Sequence, residues 1–379
     1  MNVIWYSEGM KKIVIDAREL NTSTGRYIER LLHYLQQVDT NMSHRYVVLL
    51  KPKDMDTWNP TSKRFTKAPC RYKEFGFGEQ IGLAWQLYRL RPSIVHFGMV
   101  QQPILYFGKT VTTMHDLTTV RFNNPAKNKL VFKVKQFVYG VVNKIAARKS
   151  AVIITPSEFV KNDVAKYAHV NSRKIVVTYE SADPIQHKPE ALDELIDKQF
   201  LMYVGRPTPH KNLDRLVEAF VQLQAKRPEL LLVLAGKKDL LYKRQERRVT
   251  RDNIEGVLFT DFVSEGQLRW LYENCAAYVF PSLSEGFGLP GLEAMTHGAA
   301  VVSSNATCLP EIYGDAAEYF DPRNVDDMTK KITKVLANES RRHDLIALGR
   351  KQVSKYSWQK TATQTLAVYQ TVLREEHVS

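Results

Sequence analysis

Two carboxylates, Glu285 and Glu293, bracket a glycine-containing run, Glu285-Gly286-Phe287-Gly288-Leu289-Pro290-Gly291-Leu292-Glu293. The preceding Tyr278-Val-Phe-Pro281 reads as a strand running out at a proline. Pro290 suits the first turn of a following helix, which should end near Gly298. A strand, a glycine loop and a helix N-terminus together offer backbone N–H groups and the positive end of a helix dipole to a phosphate. Gly286 and Gly288 keep side chains out of the approach. A carboxylate beside a phosphate is repulsive unless hydroxyls or cations lie between them. The loop therefore suits a sugar nucleotide better than a bare anion. Glu285 is expected to face the sugar, and Glu293, placed in the first helical turn, to accept hydrogen bonds from ribose.

Cations for such a ligand stand earlier in the chain. After the apolar run Phe200-Leu-Met-Tyr-Val204 comes Gly205-Arg206-Pro-Thr-Pro-His-Lys211-Asn212, then an amphipathic helix over Leu213–Gln224. Arg206 and Lys211 are placed to stabilise the charge that develops on a departing diphosphate. No DxD-like pair or His/Asp cluster at ligand spacing appears in a plausible cleft loop, so the expected metal site is none.

The elements that must hold these residues alternate short β-branched runs with helical patterns, which predicts parallel sheets covered by helices. Strands are expected at Lys12–Asp16, Tyr46–Leu50, Ile94–Phe97, Thr110–Met114, Val152–Thr155 and Ile175–Val177. In the second half they are expected at Phe200–Val204, Leu230–Ala235, Val257–Phe259, Ala277–Phe280 and Val301–Ser304. The chain has 379 residues, which is long for one core and fits two Rossmann-like domains facing a central cleft. The boundary is placed at 183/184, within the Pro-containing stretch Glu180–Pro189. This gives an N-terminal domain 1–183, to which the C-terminal crossing helix 358–379 is joined, and a second domain 184–357.

The composition is that of a soluble globular protein. Cys70, Cys275 and Cys308 are widely spaced and odd in number, which fits a reducing cytosol better than a disulfide framework. No apolar run approaches membrane-spanning length, and the N-terminus lacks signal-peptide order, so a cytoplasmic location is expected. Met10 opens a natural first strand after the segment Met1–Gly9. The net charge of +14 is unevenly distributed: 28 Lys+Arg face 14 Asp+Glu up to Asp183, and the remainder has 26 of each. That asymmetry points to an anionic partner for the first half.

Between Leu117 and Ser157 lie eight basic residues and no acid. On a helical wheel Lys129, Lys133, Lys144 and Arg148 share one side, with Leu130, Val134, Phe137, Val141 and Ile145 on the adjoining one. Two readings stand: a core-facing helix with a solvated basic face, or contact with the anionic inner face of the plasma membrane that delivers a lipid-linked acceptor.

The E-x7-E pair, the GRPTPHKN segment and the run from Ala300-Val-Val-Ser-Ser-Asn305 through Pro310-Glu311 resemble the second domain of family 4 glycosyltransferases. The resemblance implies a GT-B fold, an acceptor-binding N-terminal domain, retention of anomeric configuration, and no metal or other cofactor beyond the nucleotide-sugar co-substrate. It further implies that Arg206 and Lys211 hold the diphosphate, Glu285 the sugar and Glu293 the ribose. Gly286, Phe287, Gly288 and Leu289 would act through backbone amides, and Gly236 and Val263 match positions that contact the base. Thr24-Gly25-Arg26-Tyr27 resembles the family's N-terminal glycine loop, with less glycine than usual. His115, in Met114-His115-Asp116-Leu117, matches a family histidine near donor sugar and acceptor. Thr178–Asp183 departs from the family's usual interdomain pattern. The segments Asn305–Glu311 and Gly314–Ala317 are similar to bacterial mannosyltransferases of surface-polysaccharide assembly, which favours GDP-mannose over a UDP-sugar.

The expected chemistry is a hexosyl transfer to a glycan or lipid-linked acceptor, with attack from the face that the diphosphate leaves. A GT-B epimerase and a nucleic-acid-binding protein are the alternatives. The latter lacks any RNP, KH or zinc pattern and leaves the neutral second half unexplained, so no nucleic acid is expected as partner.

Overall fold

The computed structural model describes residues 10–22, 25–40, 44–74, 76–122 and 129–374, by backbone alone from 129 to 135. Ser23 and Thr24 of the N-terminal glycine loop, and the segment Met1–Gly9, lie outside the described residues. The chain forms two compact units. One comprises Met1–Val120, Lys135–Glu180 and Ser357–Ser379, the other Arg121–Val134 and Ser181–Tyr356.

In the first unit, β1 (Lys11–Asp16), β2 (His44–Leu50), β3 (Phe65–Pro69), β4 (Ile94–Phe97), β5 (Thr110–Thr113), β6 (Val152–Thr155) and β7 (Ile175–Val177) form one sheet. Its order is β3-β2-β1-β4-β5-β6-β7, with every pairing parallel. In the second unit, β8 (Phe200–Val204), β9 (Leu231–Ala235), β10 (Val257–Phe259), β11 (Ala277–Phe280), β12 (Val301–Ser304) and β13 (Ala317–Phe320) form another parallel sheet. Its order is β10-β9-β8-β11-β12-β13. Both are Rossmann-like, as the alternating pattern predicts.

Helices cover both faces of each sheet, so central strands such as β4, β5, β11 and β12 are buried at every residue. They therefore read as continuous apolar or β-branched runs. The two strands that the sequence does not announce, β3 and β13, are sheet edges. Exposed Thr66 and a terminal Pro69 suit an edge strand. In β13 the buried carboxylate of Glu318 is held by Lys331, Lys334 and Arg341 at 2.9–3.3 Å.

The C-terminal helix Trp358–Arg374 completes the first unit. Trp358, Ala362, Leu366 and Tyr369 join Ile13, Ile15, Leu31 and Leu35 in one core, against the helix Arg26–Val38. Tyr369 Oη also lies 2.6 Å from Nδ1 of the fully buried His96, whose Nε2 is 2.8 Å from Thr113 Oγ1. Burial above all, with the nearby His115 charge, lowers the His96 pKa to about 3, so this histidine is a neutral core residue.

The helix Lys129–Lys149 departs from the core-facing one of its two readings. Phe137 and Val141 are exposed, and the buried side chains are Asn143, Ala146 and Ala147. Lys144 stacks 5.0 Å over the Tyr167 ring, and Arg148 Nε donates to the Ala168 carbonyl at 2.9 Å. Small residues let this helix pack closely, so its larger apolar side chains are not the ones that fill the core. The side chains of Lys129, Leu130, Lys133 and Val134 lie outside the described residues.

Because Trp358 is 2% exposed at the centre of the first core, Trp358→Ala should destabilise the first unit by about 3–5 kcal/mol. A denaturant titration followed by circular dichroism would read this as a lowered midpoint of that unit's transition.

Candidate active site

In a parallel sheet all carboxyl ends lie along one edge, and a ligand crevice opens where the strand order reverses direction. In the second unit that reversal falls between β8 and β11. The loop after β8 carries Arg206 and Lys211, and the loop after β11 carries Glu285 to Gly288. Topology alone therefore brings together residues that the sequence separates.

Their junction is an ion pair. Lys211 Nζ donates to Glu285 Oε1 at 2.6 Å, with side-chain exposures of 19% and 12%. Lys211 also sits 5.5 Å over the Phe280 ring. Asn212, in the left-handed region at φ 61°, turns the chain into the helix Leu213–Gln224. Its buried Nδ2 donates to the carbonyls of Pro281 at 3.0 Å and Pro322 at 2.7 Å. The two loops are thus fixed to each other independently of the ion pair. The Glu285 amide donates to Thr307 Oγ1 at 3.1 Å, and Cys308 Sγ donates to the Glu285 carbonyl at 3.3 Å.

Gly288, at φ 93°, opens the helix Leu289–Thr296, with Pro290 in its first turn. Gly288 has no side chain with which to cap that turn, Pro290 has no N–H to cap, and the Gly291 amide donates to the Gly288 carbonyl at 3.1 Å. The Tyr313 hydroxyl donates to the Gly288 carbonyl. A Cβ on Gly291 would fall 2.2 Å from that hydroxyl, so only glycine fits there. Phe287 is 5% exposed and packs edge-on against Tyr356, leaving its backbone as its contribution to the loop. Glu293 is the fifth residue of the helix, so it stands in the second turn rather than the first. Tyr272 Oη donates to its Oε2 at 3.4 Å.

Arg206 and Gly236 lie on the loops that follow the paired strands β8 and β9. Arg206 is 67% exposed, and its Nε donates to Asp239 Oδ2 at 2.6 Å. Asp239 Oδ1 caps the helix Leu240–Arg251 through the amides of Leu241 and Tyr242. Slight burial opposes ionisation of Asp239, but the Arg206 hydrogen bond and these amides outweigh it and lower its pKa. The Gly236 amide donates to the Asp261 carbonyl, and the Lys238 amide to Asp261 Oδ1. This ties the loop after β9 to the segment after β10 that holds half-buried Val263.

Asp239 and Thr307 are partners that the sequence reading passed over. Asp239 had a signal: an aspartate directly before Leu240-Leu241 marks a helix N-cap. Thr307, at φ 57°, had none.

In the first unit Gly25 opens the helix Arg26–Val38, and its amide donates to the Thr22 carbonyl. That helix sets the Tyr27 ring edge-on to His115, with centroids 4.7 Å apart. Around His115 stand two acceptors, Glu180 Oε1 at 3.0 Å from Nδ1 and the Gly98 carbonyl at 3.1 Å from Nε2. Neither a carboxylate nor a carbonyl can donate, so satisfying both contacts requires both ring nitrogens to carry protons. Burial disfavours the imidazolium, but the hydrogen bond and attraction to Glu180 outweigh it and raise the pKa. Glu180 belongs to the segment that departs from the family pattern, and the sequence reading gave it no role.

The family described as Glycosyl transferases group 1 matches residues 185–352. O-antigen chain mannosyltransferase B of Escherichia coli is 31% identical over 299 residues, covering 76% of this chain and 76% of that protein. This chain belongs to the group 1 glycosyltransferases. Among solved structures, sucrose-phosphate synthase from Thermosynechococcus elongatus superposes with a TM-score of 0.75 at 17% identity, over 96% of this chain and all of that one. HepE from Anabaena, in complex with UDP-glucose, superposes with a TM-score of 0.70 at 15% identity, over 95% of this chain and 99% of that one. The glycosyltransferase fold is thus GT-B, built from two Rossmann-like units.

Since Glu180 raises the His115 pKa, the stability drawn from this pair is complete below pH about 6.5 and is lost as pH rises through the elevated folded value. Glu180→Gln should move the His115 titration to lower pH. An NMR titration of the His115 ring protons would read the shift, and an unmoved titration would reject the coupling.

Proposed function

We propose that this glycosyltransferase moves a mannosyl residue from a nucleotide sugar, GDP-mannose in preference to a UDP-sugar, to the hydroxyl of a glycan or lipid-linked acceptor, retaining anomeric configuration. The single observation that carries the reading is the pairing of Lys211 with Glu285 at the sheet's switch point, beside the first turn of the helix Leu289–Thr296. The mannosyl specificity is supported by the O-antigen chain mannosyltransferase relative.

In this reading a diphosphate is held by Lys211, Arg206 and the amides of Gly288 and Leu289, and Glu285 takes hydroxyls of the sugar. Donor binding would release Arg206 from Asp239 toward the phosphate, exchanging one charge-assisted partner for another. Glu293 would accept from ribose, with Gly236 and Val263 beside the base. The acceptor oxygen forms a bond to the anomeric carbon as the bond to the diphosphate oxygen breaks on the same face. The acceptor proton passes to the departing phosphate oxygen. Negative charge then grows on the diphosphate, where fixed cations and helix-end amides lower the barrier and do the work a metal ion would otherwise do. His115, whose pKa Glu180 raises, would serve by orienting hydroxyls rather than as a base.

Lys211→Ala and Arg206→Ala should each lower kcat by about 100-fold or more, since each removes charge stabilisation in the transition state. Glu293→Ala should act chiefly on donor KM. Steady-state kinetics with GDP-mannose against UDP-glucose and UDP-galactose tests both parts. Unchanged turnover in the two cation variants would overturn the mechanism, and activity confined to a UDP-sugar would overturn the donor assignment.

A further inference from the structure

The turn and helix between β3 and β4 carry apolar residues on two sides. One side packs inward: Leu83, Ala84 and Leu87 lie in a core with Val14, Leu49, Val95 and Phe97. An ordinary surface helix would be polar on the other side. Here Ile81, Trp85 and Tyr88, spaced four and three residues apart, face outward with exposures of 66%, 57% and 47%. Phe77 at the helix entry is 92% exposed.

A second segment extends this surface. The Phe107 amide donates to Tyr88 Oη at 2.9 Å, and Tyr88 Oη in turn donates to the Leu105 carbonyl at 3.3 Å. This places the 105–107 loop beside the helix, with Leu105 48% and Phe107 82% exposed. Large side chains of this kind each bury about 150–250 Å², so these exposures leave on the order of 600 Å² of contiguous apolar surface. That matches or exceeds the largest patch of a typical monomer.

Charge around the patch is of one sign. From Cys70 to His115 the basic residues are Arg71, Lys73, Arg89, Arg91 and Lys109, and the acids are Glu74 and Glu79. All five cations are exposed. Both acids are turned inward: Glu79 pairs with the buried Arg18 at 2.8 Å, and Glu74 with Lys51 at 2.9 Å. Arg89 lies over the Trp85 ring at 4.6 Å. Amphipathic aromatics, protruding aliphatic side chains and a cationic rim are the composition of a surface that seats in the headgroup layer of an anionic bilayer. No helix among the described residues is long and apolar enough to cross a membrane, so such contact would be peripheral.

We infer that Phe77, Ile81, Trp85, Leu105 and Phe107 form a wedge that inserts into anionic phospholipid membranes, with Arg89, Arg91 and Lys109 contacting the headgroups. This assigns a membrane surface of the first half to this helix and loop, apart from the helix Lys129–Lys149. Its occupant is lipid, and the inference does not depend on which sugar is transferred.

The test is co-sedimentation of the full chain with phosphatidylglycerol–phosphatidylcholine vesicles and with phosphatidylcholine vesicles. Binding should require the anionic lipid. Trp85→Ser with Phe107→Ser should weaken it by about tenfold or more, whereas Val221→Ser, an exposed apolar site in the second unit, should leave it unchanged. Quenching of tryptophan fluorescence by brominated lipid provides a second readout, expected in the unaltered chain and diminished in Trp85→Phe. Absence of vesicle binding, equal binding by the double variant, or self-association abolished by that variant without any lipid contact would each overturn the inference.

Discussion

A strand paired in parallel on both sides must deliver its chain to the same edge as its neighbours, whatever residues follow. Everything chemical in this protein inherits that constraint. Between β8 and β11 the order of the second sheet reverses, and the two loops beside the reversal are those that contain Arg206, Lys211 and Glu285. The 2.6 Å contact of Lys211 with Glu285 joins them. It rests on a neutral scaffold, because Asn212 spans the same gap with two hydrogen bonds to backbone carbonyls. Charge can therefore be exchanged with a ligand while the loops stay in place.

The first unit shows how burial sorts like side chains into unlike states. His96 lies in β4 and His115 follows the adjacent parallel strand β5, yet burial lowers the pKa of the first while Glu180 raises that of the second. Hydroxyl groups surround the ring of His96, and a hydroxyl adapts to either partner. Two pure acceptors surround His115, one of them the Glu180 carboxylate. Local donors and acceptors decide the protonation state once water has been removed.

Much of the fold was legible because buried parallel strands leave a dense apolar record. Eleven strands and the helices over Leu213–Gln224 and Trp358–Arg374 are where the sequence places them. Edge strands β3 and β13 escaped because one side of each meets solvent or a charged cluster, so their residues look like loop. Glu293 was read one turn too early, since proline was taken to mark the helix start when Leu289 precedes it. Glu180, Thr307 and the pairing of Asp239 with Arg206 are contacts between distant segments, and spacing along the chain does not encode them. Helix faces were the weakest reading. Phe137 and Val141 point outward, against the core-facing one of the two readings, because Asn143, Ala146 and Ala147 already occupy the buried side.

Tyr313 closes its hydroxyl over the Gly288 carbonyl and occupies the volume that any side chain at Gly291 would need. These positions consequently cannot drift independently through substitution. A larger residue at 291 becomes tolerable only if the tyrosine is first trimmed, and trimming it removes one of the two hydrogen bonds on the Gly288 carbonyl and leaves the loop less firmly held. The passage between alternative sequences thus crosses a less fit intermediate in either order. Along this helix entrance, divergence should proceed by linked replacements, making the glycine–tyrosine set a single heritable unit rather than three separate ones.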